Sequence, residues 1–294
     1  MNQQKIAVLT DTGTNTPKAF MEEHDVRFVS LRINYSDGSS YLSGVNITAD
    51  ELVARFAEEI PSTSLPSPAQ IKEELEKARD DGYERAVFVT LSSGLSATNQ
   101  TVHLIASQME DFPVIVIDTL SIGVAAGMVT IAAVEMIEAG VPFEELEERL
   151  TSLSRDTRVY FSTKTLTYLR KGGRITEPVY RLGTMLNIKP VIMCDEGGYY
   201  VVARKTRGWE KSLDAEVNLA VDHAVKLGVP VRIAVCCSKG NDHFYELEEK
   251  LRQRLAKNNI PVVTPAIYSD VSPDLLVHTG PDLVGIGIQP YWNN

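Results

Sequence analysis

The chain has 294 residues, 44% hydrophobic and 23% charged, with 29 Lys and Arg against 39 Asp and Glu for a formal charge of −10. That length accommodates two domains, and the composition is that of a globular protein with a sizeable core. The acidic balance argues against non-specific binding to nucleic acid or to an anionic membrane surface.

Met1-Asn2-Gln3-Gln4-Lys5 passes straight into the apolar run Ile6-Ala7-Val8-Leu9, so no secretory leader is expected and the cytoplasm is the expected compartment. Strands are predicted over residues 5–10 and 26–33. Thr48-Ala49-Asp50-Glu51 has the form of a capping box, predicting a helix to residue 59. Thr63-Ser64-Leu65-Pro66-Ser67-Pro68 reads as a proline-stiffened loop ending in an N-cap at Ser67, with a helix over 68–81. The apolar run at 86–91 predicts a buried strand, followed by a helix to about residue 110 and a strand over 114–118. β-α alternation with continuously apolar strands predicts a parallel sheet covered on both faces. The uncharged run between Asp118 and Glu135 contains Gly123 and Gly127 and is short for a membrane span, so it is read as a buried helix. The acidic segment 143–153 is read as a solvated surface helix.

After Asp156 strand-like runs crowd together at 159–161, 189–194, 199–204, 232–237, 262–268, 275–278 and 283–288, with helices at 209–226 and 242–257. The expected fold is α/β in two domains. Residues 1–156 form a Rossmann-like parallel-sheet domain, and residues 157–294 form a second α/β domain with a mixed sheet. Cys194, Cys236 and Cys237 each lie in or beside apolar runs without a CxxC pair, so they are read as core thiols rather than zinc ligands or disulfides.

In open parallel sheets, ligands bind beyond the C-terminal ends of the strands. Three polar segments fall there: Thr10-Asp11-Thr12-Gly13-Thr14, Leu91-Ser92-Ser93-Gly94 and Asp118-Thr119-Leu120-Ser121. The fullest is Ser92-Ser93-Gly94-Leu95-Ser96-Ala97-Thr98, a cluster of hydroxyls where a strand gives way to a helix N-terminus, which suits an anion. No nucleophile elbow, P-loop or dinucleotide fingerprint occurs, and no spacing of His and carboxylates suggests a metal. His278, between an apolar run and a turn, is either a structural histidine or part of a site. The cations of Arg170-Lys171-Gly172-Gly173-Arg174 and the later Arg181, Lys189, Arg204, Lys205 and Arg207 are either solvated charges or a docking face. Local motifs thus leave three readings open: an anion-binding carrier, an acyl ester hydrolase using Ser93 and His278, or a phosphate or phosphosugar binder.

Taken together, Thr10-Asp11-Thr12, Thr63-Ser64-Leu65-Pro66-Ser67, the 92–98 turn, Leu166-Thr167-Tyr168-Leu169-Arg170-Lys171-Gly172-Gly173-Arg174-Ile175, Asn187-Ile188-Lys189-Pro190-Val191-Ile192 and His278-Thr279-Gly280-Pro281 resemble the DegV family along essentially the whole chain. That family includes the FakB fatty-acid-binding subunits of bacterial fatty acid kinase. The resemblance implies a non-catalytic lipid carrier with one long-chain fatty acid held between two domains and no cofactor. Thr63, Ser93 and His278 would hold the carboxylate, assisted by Ser92 and the amides of Gly94 and Leu95. Arg174 and Arg207 would engage a kinase subunit that phosphorylates the carboxylate with ATP, giving acyl phosphate for phospholipid synthesis. The implied partners are therefore the fatty acid and the kinase, with transient membrane contact during lipid exchange. The chain departs from the family pattern at Thr12-Gly13-Thr14-Asn15, at Leu65 in place of Gln, and at Asp282 in place of Gly.

Overall fold

The computed structural model describes residues 2–184, 187–238 and 243–293. From the N-terminus, β1 (Ile6–Asp11) runs through a 3-10 turn into α1 (Lys18–Glu23) and returns as β2 (Arg27–Val29). A small antiparallel sheet follows, built from β3 (Arg32–Asn34), β4 (Ser40–Leu42) and, after α2 (Ala49–Arg55), β5 (Ser62–Ser64). The chain then re-enters the first sheet through α3 (Pro68–Asp80), β6 (Arg85–Thr90), α4 (Thr98–Ala106) and β7 (Val114–Asp118), and leaves by α5 (Val124–Glu138) and α6 (Phe143–Asp156).

The first sheet has the order β2-β1-β6-β7 and is parallel throughout. The inner strands β1 and β6 are buried on both faces because the pleat divides their apolar runs. Ile6 and Val8 pack with Val129, Ala133 and Leu146 of α5 and α6, while Ala7 and Leu9 pack with Ile71 and Leu75 of α3 and Val102 of α4. The segment 143–153, read as a solvated helix, buries Leu146, Leu150 and Leu153 along one stripe and is amphipathic instead.

The second half forms β8 (Arg158–Ser162), α7 (Thr167–Lys171), α8 (Glu177–Thr184), β9 (Val191–Cys194), β10 (Tyr200–Arg204), α9 (Trp209–Leu227), β11 (Val231–Cys237), α10 (Phe244–Lys257), β12 (Val262–Asp270), α11 (Pro273–Thr279) and β13 (Val284–Pro290). Its sheet is mixed, in the order β10-β9-β8-β13-β11-β12, with β11 and β12 the parallel pair. The expected helix start at Asp242 lies outside the described residues. All three cysteines are free and buried, and burial pushes the thiols of Cys194 and Cys236 up to about 12. Among the described residues no helix is long and apolar enough to cross a membrane.

Three expectations are corrected. Residues 26–33 form two strands in two sheets, because the chain breaks at Ser30-Leu31, where the Leu31 amide donates to Thr12 Oγ1 at 3.1 Å and the side chain turns into the core between the halves. The capping box at Thr48 is present in both directions, but its helix ends at Arg55 rather than 59. The run expected as a strand at 275–278 is helix α11, with Pro273 in its first turn. Leu275, Leu276 and Val277 are all buried, since α11 packs against α7, α2 and β5. A short apolar run enclosed on every side has no period to distinguish helix from strand.

One hydrophobic core joins the two halves. Leu31, Leu91, Leu95, Ile122 and Met128 from the first half meet Phe161, Ile192, Cys236 and Leu275 from the second. α5, with 13 of its 15 residues buried, is packed against the first sheet and β13 at once.

Candidate functional site

β5 and α11 come together beside this shared core, and each contributes one polar side chain. Thr63 Oγ1 lies 2.7 Å from His278 Nε2. The segment 63–68, expected as a loop, begins as strand β5. Pairing Thr63 with Ile33 of β3 fixes its position, and Ser67 caps α3 through the Gln70 amide at 3.2 Å as expected. The His278 ring is clamped from its other side. A β-carbon added at Gly172, the residue ending α7, would overlap Nδ1 and stand 2.8 Å from Cε1, so only glycine leaves room for the ring.

Burial, assisted by the charge of Arg174, drives the His278 imidazole down to about 3, so it is neutral at physiological pH. Nδ1 is buried without a partner among the described residues. An orphaned N–H is rarer in protein interiors than an under-used acceptor, which assigns the ring proton to Nε2. His278 then donates to Thr63 Oγ1, and the threonine O–H is left free to donate onward. The pair forms a neutral relay that presents one hydroxyl proton.

That hydroxyl faces a cavity of about 330 Å3, lined on its apolar side by Leu31, Leu91, Leu95, Ile122, Tyr200 and Leu275, with Arg174 and Ser96 at its edges. Arg174 donates from Nε to the Leu95 carbonyl at 3.2 Å and from Nη1 to the Gly172 carbonyl. A cation therefore stands over the relay with no carboxylate paired to it among the described residues. An apolar hollow with a few convergent donors suits an amphiphile with an anionic head.

The three polar strand ends do converge, but mostly on one another. The Leu91 amide donates to Asp11 at 2.9 Å, and the amides of Ser93 and Leu120 donate to Asp118 at 3.1 and 3.0 Å. Ser92 is fully buried. Its hydroxyl donates to the Gly198 carbonyl at 2.9 Å and accepts from the Gly94 amide at 3.1 Å, while the Leu95 amide donates to the Ser92 carbonyl at 3.1 Å. The Gly94 and Leu95 amides, expected to face an anion, are thus spent inside the turn. Gly198, with φ of +77°, is held so closely that a side chain there would overlap Ser92 Oγ.

Ser93 is half-buried next to the cavity lining but not part of it. The structure brings Thr63, His278, Leu95 and Arg174 to the cavity, bonds the Ser92 hydroxyl and the Gly94 amide within the turn, and stands Ser93 beside the lining. Neither nitrogen of His278 meets a serine, since Nε2 holds Thr63 and Nδ1 is unpaired among the described residues. A Ser93–His278 hydrolase therefore lacks its required contact. Among the described residues no group of three potential metal ligands occurs.

Over nearly the full length of the chain, residues 5–291, the sequence matches the family model described as uncharacterised protein, DegV family. The chain belongs to the DegV family. A DegV domain-containing protein of Clostridium acetobutylicum is 31% identical over 284 residues, covering 96% of this chain and 98% of the relative. Among solved structures, a Thermus thermophilus DegV family protein described by its fatty acid binding superposes with a TM-score of 0.85 at 29% identity, covering 97% of this chain and 99% of the other. A Thermotoga maritima protein described as revealing fatty acid binding function superposes with a TM-score of 0.82 at 26% identity, covering 97% and 99%.

Within this DegV chain, the basic segment expected as a docking face is partly neutralised. Arg170 pairs with Glu177 at 2.9 Å and stacks on Tyr180, and Lys164 pairs with Asp282 at 3.1 Å. Lys171, Lys205 and Arg207 are exposed and carry no ion pair among the described residues. Arg207 does not reach the cavity, whereas Arg174 lines it. Sequence reasoning missed Tyr200, Ile122 and Leu275, which are ordinary apolar residues until the fold brings them together. It also missed why Gly172 is glycine, because the ring it accommodates is more than a hundred residues away in sequence.

Two consequences can be measured. Ser92→Ala leaves the Gly94 amide and Gly198 carbonyl buried without a partner, and is expected to lower unfolding free energy by about 1–3 kcal/mol in denaturant titrations. Burial, reinforced by Asp274, pushes the Asp11 carboxyl from its ordinary 3.8 up to about 8, against the opposing pull of the Leu91 amide. Between those values the folded chain holds a proton that the unfolded chain lacks. Its contribution is therefore complete below pH 3.8 and is lost as pH rises through about 8. The melting temperature of the unmodified protein minus that of Asp11→Asn should fall steadily from pH 5 to pH 9; parallel curves would refute a proton on Asp11.

Proposed function

We propose that this protein is a non-catalytic carrier that buries one long-chain fatty acid, holding its carboxylate at Thr63 and His278 and its tail between the two halves, residues 1–156 and 157–294. The observation that carries this reading is the neutral Thr63–His278 relay, 2.7 Å across, at one end of an apolar cavity. Fatty acid binding described for the Thermus and Thermotoga relatives supports the same occupant.

Each buried methylene contributes about 0.8 kcal/mol, so a long tail gains on the order of 10 kcal/mol before ordering and association costs. The tail supplies most of the affinity and the relay sets its direction. A buried carboxylate without donors would be costly, and the Thr63 hydroxyl offsets that cost without enclosing both oxygens. One oxygen thereby remains available for attack on a phosphate. On this reading the carrier works in the cytoplasm and presents the carboxylate to a separate ATP-dependent kinase subunit, giving acyl phosphate for phospholipid synthesis. Arg174 at the cavity and the exposed Arg207 serve as the contacts with that subunit.

Native mass spectrometry of the purified protein tests the carrier reading, with mass increments equal to fatty acids expected and a phosphosugar or empty protein contradicting it. With the kinase subunit added, Arg207→Ala should lower ATP-dependent acyl phosphate formation on the order of tenfold while leaving the bound acid in place. Equal rates would remove Arg207 from the docking face.

A further inference from the structure

Three hollows adjoin one another through the protein. The cavity at Thr63 and His278 shares Ile122, Tyr200 and Leu275 with a narrow apolar void of about 20 Å3, room for the end of a chain, which Phe161, Cys236 and Leu283 also line. That void in turn adjoins a groove of about 680 Å3 that reaches the surface beside the exposed Phe28 and Val45. Among their lining residues, void and groove have only Asn15 in common, and the first cavity and the groove have none.

Asn15 is therefore the partition between the apolar void and open space, and it is locked in place. Its Nδ2 donates to Ser269 Oγ at 2.7 Å and to the Asp270 carbonyl at 2.9 Å, and its Oδ1 accepts from the Ser272 amide at 2.7 Å. The Ser269 hydroxyl donates to the Asn15 carbonyl at 2.9 Å. These bonds tie the end of the 3-10 turn after β1 to the end of β12, across the two halves. Every polar group of the Asn15 side chain is engaged with protein, so what it offers the void is a closed wall. Other walls belong to buried strands, Val159 and Phe161 on β8 and Cys236 on β11, with packed core behind them. Asn15 is the wall with empty space behind it.

We propose that Asn15 is the stop that sets the longest acyl chain this protein holds. The inference rests on the fatty-acid reading above and adds a direction and an end point. The tail passes from Thr63 and His278 between Leu275 and Tyr200, fills the void, and ends with its terminal methyl against Asn15. Longer chains are refused because the side chain is held by its bonds to Ser269, Asp270 and Ser272. Asn15 has φ of +52°, a left-handed conformation that glycine adopts without strain, so Asn15→Gly removes the wall while keeping the backbone.

The test loads unmodified protein and Asn15→Gly with an equimolar series of straight-chain saturated fatty acids, then extracts and weighs the bound acids. Each further buried methylene is worth about fourfold in affinity, so acids two carbons longer should gain about tenfold or more in the variant. An identical length distribution in both proteins overturns the stop and leaves the carrier reading standing; failure of both to retain any acid overturns both. A second measurement needs no variant. A fatty acid with a terminal diazirine, photolysed in the unmodified protein, should label Asn15, Gly123 or Val271. Label confined to Leu31 and Leu65 would place the methyl end elsewhere and overturn the stop even if the variant fails to fold.

Discussion

Thr63→Val is expected to weaken fatty acid binding by roughly 10- to 100-fold while leaving the fold intact. Valine keeps the branched shape that β5 favours and removes only the hydroxyl. A donor and an acceptor are lost in one step: the O–H that meets the carboxylate, and the oxygen that accepts from His278 Nε2 at 2.7 Å. A hydrogen bond to a charged group is worth about 1.5–3 kcal/mol, which sets that range. His278→Ala should lose a similar amount in binding through the unoriented threonine, and additionally destabilise the empty protein, because it leaves a hollow between α7, α11 and β5. Isothermal titration with a fatty acid and with the fatty alcohol of equal length separates the effects. The acid should lose its advantage in Thr63→Val while the alcohol binds as before. Equal weakening of both ligands would mean that Thr63 touches the tail and not the head.

Gly172→Ala is the second large effect. Its new methyl would occupy the position of His278 Nδ1, and neither partner has room to retreat. His278 is shut in by Thr63 on its other nitrogen, and Gly172 terminates α7, whose Leu169 is fully buried. Overpacking of this kind costs about 1–3 kcal/mol, and the cheapest relief is rotation of the ring away from Thr63. The variant should therefore combine a lower unfolding free energy with a loss of fatty acid affinity comparable to that of His278→Ala. A double variant, Gly172→Ala with His278→Ala, should recover the stability lost by the glycine change, since the space of the missing ring accepts the methyl. Additive losses in the double variant would show that Gly172 acts on something other than His278.

Local chemistry made much of this molecule readable. The inner apolar strands of the first half announce a parallel sheet because they are buried on both faces, and the capping box at Thr48 and the N-cap at Ser67 form as their side chains dictate. The uncharged run after Asp118 is a helix buried almost all round, as its composition required. What could not be read was set by contacts distant in sequence. α11 lacks a polar face, so its apolar run has no period to distinguish it from a strand, and only Ser272-Pro273 at its start marks a helix locally. The hydroxyl turn at 92–98 advertised donors for an anion, yet the Ser92 hydroxyl and the Ser93 amide are engaged by the Gly198 carbonyl and Asp118, which only the fold brings to it. Arg174 was legible as a cation of a basic segment, but its place beside His278 follows from the way α7 packs on α11. Glycine at 172 carries its meaning entirely in a ring from another element.

The central claim is that the carboxylate of a bound fatty acid sits at the Thr63–His278 relay. A crystal structure of the fatty-acid complex measures this most directly. A carboxylate oxygen is expected within hydrogen-bond distance of Thr63 Oγ1, about 2.7 Å, with the tail passing Leu275 and Tyr200. A carboxylate in the groove beside Phe28 and Val45, or a methyl end against Thr63, would contradict the account.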